Sequence, residues 1–119
     1  LHVPHLIVIG HSKCGGVAGC HAMCSGEAPE LEEQTNFVGR WIDILRPGFE
    51  RIDRSKEKDE QLRALEMQAV VVSLENLLTY PFVRNAREEQ ELTLHGLWTD
   101  IGAGQLFQYE AATREFNAV

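Results

Sequence analysis

Residues 5–17 read His5-Leu6-Ile7-Val8-Ile9-Gly10-His11-Ser12-Lys13-Cys14-Gly15-Gly16-Val17, and the change of rhythm within them decides the class of fold. Residues 5–10 are a short β-branched run closed by a glycine. They read as a fully buried strand of a parallel sheet. Residues 11–16 carry the residue types of a tight turn, and residues 17–24 read as one or two turns of helix. Strand, turn and helix in that order put His11 to Gly16 at the carboxyl end of a strand, where open α/β sheets place their sites.

Outward from this stretch the chain alternates between the two periods. Residues 26–33 form an acidic loop or short helix. Thr35 or Asn36 is placed to cap the next helix. In that helix Phe37, Trp41 and Leu45 recur at i, i+4, i+8 beside Val38 and Ile42, and Pro47-Gly48 stops it. Nine of the fourteen residues from 47 to 60 are charged, which reads as a solvated connection. Residues 60–78 give the clearest helical period, with Leu62, Leu65, Ala69, Val72 and Leu77 or Leu78 on the buried side and Pro81 as the stop. Residues 91–95 and 105–109 alternate like strands on either side of Gly102-Ala103-Gly104, which predicts a C-terminal hairpin at a sheet edge. The expected architecture is an α/β layer fold in a single domain over residues 1–119.

Composition narrows the function. The chain is 44% hydrophobic and 24% charged, as globular domains are. A net charge of -7 argues against nucleic acid and against anionic membrane surfaces, which attract basic faces. The longest apolar runs, Leu6 to Ile9 and Ala69 to Val72, are far shorter than a membrane span. Cys14, Cys20 and Cys24 are odd in number and crowded together. They make a poor disulfide framework and point to a reducing compartment such as the cytoplasm.

The chemistry sits at His11 and Cys14. Imidazole and thiolate are ligands that zinc prefers, and a helical turn between them aims both side chains at one spot. Cys14 opens a helix, which favours its thiolate. Gly15 and Gly16 lack Cβ atoms, so backbone can pass close to a metal or a small anion. On spacing alone, a surface histidine and a buried cysteine explain the pair better. A nucleophile elbow around Cys14 would need glycine at both flanking positions, and Ser12 occupies one of them. Cys20 and Cys24, at i and i+4, are expected to face the core. His2, His5 and His95 are read as structural, and Asp100 as a hairpin residue.

Gly10-His11-Ser12-Lys13-Cys14-Gly15-Gly16-Val17 between a strand and a helix resembles the zinc motif of the β-class carbonic anhydrases. The similarity continues through Phe37-Val38 with Trp41-Ile42. It extends to Val72-Ser73-Leu74-Glu75-Asn76-Leu77 with Tyr80-Pro81-Phe82-Val83, and to Leu94-His95-Gly96, Asp100-Ile101 and Gly104-Gln105-Leu106. The resemblance implies that family's parallel-sheet fold, seen here as a C-terminal portion without its N-terminal part. It implies zinc as cofactor, with His11 and Cys14 as ligands and Gly15 and Gly16 as backbone beside the metal. It also implies CO₂ and bicarbonate as the reactants, and a homodimer or higher oligomer. The family's first cysteine ligand and its Asp-Arg dyad lie in a C-x-D-x-R segment that these 119 residues do not contain. Taken alone, the chain is therefore expected to be inactive. A truncated, non-catalytic homologue serving as scaffold or assembly subunit is the alternative expectation.

Overall fold

The structure, a computed structural model, describes residues 2–119, and the chain divides into two compact units. One contains the N-terminal segment through Ser12 together with residues 70–119; the other contains residues 13–69.

The first unit is built on a mixed four-stranded sheet in the order β1-β2-β3-β4, with β1 His5–His11, β2 Thr93–Asp100, β3 Gln105–Glu110 and β4 Glu115–Ala118. β1 and β2 are parallel, from His5 opposite Thr93 to His11 opposite Thr99. The hairpin expected around Gly102 is present, with Asp100 paired to Gln105 across the β2–β3 turn. Asp100 shapes that turn, its Oδ1 accepting from the backbone N–H of Ala103 at 3.1 Å. β4 adds an edge strand that four residues of sequence were too few to signal.

One face of the sheet packs on the long helix α4, Lys58–Leu77, whose residues from Val70 onward belong to this unit. A Cβ built on Gly96 would lie 2.9 Å from both Leu74 Cδ1 and Val70 Cγ1, so only glycine lets helix and sheet approach this closely. Trp98 lies on the same face and is fully buried, with the Phe107 ring 5.5 Å away. Pro81, expected only to stop a helix, also opens a further one, α5, Pro81–Glu88. In the first turn its missing N–H costs nothing.

The reading of β1 as fully buried is corrected. Its side chains alternate between half-buried and exposed, and Ile7 and Ile9 are 52% and 60% exposed. β1 is an edge strand, and parallel register puts Leu6, Val8 and Gly10 on the face of Gly96 and Trp98. Ile7 and Ile9 occupy the opposite face, which solvent reaches.

The second unit gathers α1, Gly15–Cys24; α2, Phe37–Ile42; α3, Arg46–Arg51; and α4 through Ala69. Val17, Cys20, Met23, Ile42, Phe49, Ile52 and Leu65 form its core. Asn36 caps α2 as expected, its side chain accepting from the Gly39 N–H at 3.0 Å. Two readings change. The helix from residue 37 stops at Ile42, well before Pro47, and Pro47 sits in the first turn of α3. The charged connection is partly helical because Phe49 and Ile52, three residues apart, turn inward from among its charges. The apolar stripe of α2 is buried only in part. Phe37 and Trp41 are 80% and 68% exposed, whereas Gly39 and Ile42 are buried. A Cβ on Gly39 would fall within 1.8 Å of the Leu31 carbonyl oxygen, and this close approach is what turns the Gly39–Ile42 side inward.

Candidate metal centre

His11 is the last residue of β1 and is exposed. Its Nδ1 lies 2.8 Å from the carbonyl oxygen of Ser12. A carbonyl only accepts, so Nδ1 carries the proton and Nε2 keeps its lone pair. Histidines that bind metals are held in this way, with one nitrogen tied to a carbonyl and the other free to coordinate.

Ser12 holds the end of the strand in place. Its N–H donates to the Thr99 carbonyl at 2.9 Å, and its Oγ accepts from the Ile101 N–H at 2.9 Å. The hydroxyl therefore latches the β2–β3 turn beside His11, a role that no local pattern of residues signals. Lys13 follows with φ of 58°, a left-handed conformation that non-glycine residues adopt only at a cost.

Cys14 is the N-terminal flanking residue of α1, with extended backbone, and its carbonyl accepts the first helical bond from the Ala18 N–H at 3.0 Å. It is half-buried against the helical core. Gly15 and Gly16 begin α1. A Cβ on Gly15 would meet nothing within 4 Å, and one on Gly16 would meet only Cys14 Sγ at 3.9 Å. Packing within the chain does not demand glycine at either position, which leaves open space beside the thiol.

The other candidate ligands are committed elsewhere. Cys20 is completely buried, with its Sγ 3.9 Å from Cys24 Sγ. Burial, reinforced by the neighbouring Cys24, pushes its thiol up to about 12. Burial also raises Cys24. His21 donates from Nε2 to Gln61 Oε1 at 2.9 Å. That direction is fixed because the Gln61 amide nitrogen is spent on the carbonyls of Arg54 and Lys56. Among the described residues no group of three or more His, Cys, Asp or Glu side chains could hold a metal ion. A catalytic zinc needs three protein ligands, so His11 and Cys14 fit the metal individually but do not complete its set. No helix of the described chain is long and apolar enough to cross a membrane.

Comparison with known proteins places this chain in a family. The family model for carbonic anhydrase matches residues 1–106. Beta carbonic anhydrase 3 of Arabidopsis thaliana is 37% identical over 113 residues, covering 92% of this chain and 43% of the plant protein. The solved structure of the β-carbonic anhydrase CafA of Aspergillus fumigatus superposes with a TM-score of 0.73 at 30% identity, over 92% of this chain and 50% of that one. A tetrameric β-carbonic anhydrase of Sordaria macrospora shares the fold, with a TM-score of 0.64 at 23% identity, over 89% of this chain and 52% of its own. The chain spans about half the length of the relatives it matches. With nearly all of its residues inside the family model and its sheet and helices laid out as in the solved members, the chain belongs to the carbonic anhydrase family, in its β class.

Proposed function

We propose that this chain is part of a zinc-dependent enzyme that reversibly hydrates CO₂ to bicarbonate and a proton, and that His11 and Cys14 are two of the metal's three protein ligands. The observation that carries the reading is His11 at the end of β1, its Nδ1 occupied by the Ser12 carbonyl and its Nε2 left free. Cys14 follows three residues later, at the head of α1. The third ligand comes from outside the described residues. Zinc brings to such a site a water acidic enough to ionise near neutral pH. The chain's own part is positional. Ser12 holds the His11 turn to the hairpin, α1 presents Cys14, and Gly15 and Gly16 leave room beside the sulfur. Three free thiols within α1 and its flank suit a reducing compartment. Assembly with further copies is part of the proposal and draws on the tetrameric relative.

The test is zinc content and CO₂ hydration, measured together on the whole protein that contains these residues. His11→Ala and Cys14→Ser are each expected to abolish stoichiometric zinc and hydration, while a Cys20→Ala control keeps both. Full zinc and full activity in either ligand variant would remove that residue from the site. An unmutated protein with neither zinc nor activity would refute the enzymatic reading.

A further inference from the structure

A pair of histidines lies at the end of β1 opposite to His11. His5 Nδ1 and His95 Nε2 are 3.0 Å apart, with ring centroids 5.1 Å apart and planes inclined at 45°. The two residues stand on adjacent parallel strands. His5 is paired with Thr93, and His95 with Ile7. Parallel register puts all four on the face that carries Ile7 and Ile9, which α4 does not cover. His5 is exposed and His95 half-buried, so water and solutes reach the pair.

We propose that His5 and His95 form a surface site for a tetragonal divalent transition ion of the Cu(II)/Ni(II) class, bound through His5 Nδ1 and His95 Nε2. Two nitrogens bonded to one ion at about 2.1 Å and at right angles stand about 3.0 Å apart, whereas a tetrahedral ion spreads them to about 3.4 Å. The observed spacing matches the right-angled arrangement. Imidazole also suits Cu(II) and Ni(II), and nitrogen with oxygen in tetragonal geometry is their usual environment. The hydrogen bond in the unliganded pair is no obstacle. The donor ring need only carry its proton on its other nitrogen, and both facing lone pairs are then free to bind. Among the described residues no third His, Cys, Asp or Glu joins the pair, so water fills the remaining positions. His11 lies six residues along the same strand, about 20 Å away at about 3.3 Å per residue, so this site is separate from the proposed zinc ligands.

Ni(II) is the probe, because thiols do not reduce it. In calorimetric titration of the protein, His5→Gln and His95→Gln are each expected to weaken one Ni(II) equivalent by about tenfold or more. Cys14→Ser is expected to retain that equivalent, whether or not the zinc reading holds. In the Cys14→Ser protein, substoichiometric Ni(II) should perturb the ring resonances of His5 and His95 before those of His2, His11 and His21. Unchanged affinity in either glutamine variant, or perturbation that begins at another histidine, would overturn the site.

Discussion

At the scale of single residues, the three cysteines share a short segment and behave differently. Cys20 is sealed in the helical core, and its thiol holds its proton up to about pH 12 instead of the usual 9.0. A folded-state value above the unfolded one means that the associated stability is complete below about pH 9. It drains away as pH rises towards 12, because the unfolded chain ionises first. Denaturant midpoints measured from pH 8 to 11 should therefore fall, and the fall should be shallower in Cys20→Ala. A flat profile in the unmutated chain would contradict this account. Native-state alkylation should modify Cys14 and spare Cys20. Ser12 offers a second measurement. Replacing it with alanine leaves the Ile101 N–H without its acceptor and should cost about 1 kcal/mol of stability, read from the denaturant midpoint. The Ser12 hydroxyl illustrates why sequence reading reached the proposed ligands and missed their support. His11 and Cys14 announce themselves by residue type, whereas the worth of a serine depends on a hairpin almost ninety residues away in the sequence.

At the scale of elements, two glycines set how closely the layers approach. Gly96→Ala should destabilise the protein by about 1–3 kcal/mol, since the stiff Val70 side chain has to yield. Gly39→Ala should be worse, because the Leu31 carbonyl is backbone and cannot step aside. Thermal melts of the two variants rank them directly, and equal midpoints would count against the close approach at Gly39. The same contacts explain which elements were legible. The period of α4 and the alternation of β3 are long enough to read, and both stand where expected. The apolar repeat at Phe37, Val38 and Trp41 misleads because a stripe alone does not say which side of a helix is covered. Here the inward side is chosen by the missing Cβ of Gly39. α3 was hidden among charges because only Phe49 and Ile52 point inward.

At the scale of the whole molecule, apolar surface remains uncovered on both units: Phe82 on α5 in one, and Phe37 and Trp41 on α2 in the other. Large exposed apolar surfaces mark contacts with other protein. The 13.4 kDa chain should therefore sediment as a concentration-dependent assembly. A sharp monomer boundary across a hundredfold dilution would show that these side chains tolerate water. The class of fold was legible because the strand–turn–helix at residues 5–17 combines local period with distinctive residues. The exposure of β1 was not, because sequence marks a strand as apolar without saying what lies over each face.

The pairing of β1 with β2 also bears on how the chain acquires its structure in time. β2, β3 and β4 are joined by short turns and can find one another locally. β1 must wait for the long stretch of chain that separates the two strands, since His5 meets Thr93. Closing so long a loop is entropically slow, and non-local parallel pairing is among the slower steps of folding. In pulse-labelled hydrogen exchange during refolding, amides of β2 to β4 should gain protection before those of β1. The strand that carries His11 is then the last of the sheet to settle, and metal capture through that histidine would follow the formation of the sheet instead of guiding it.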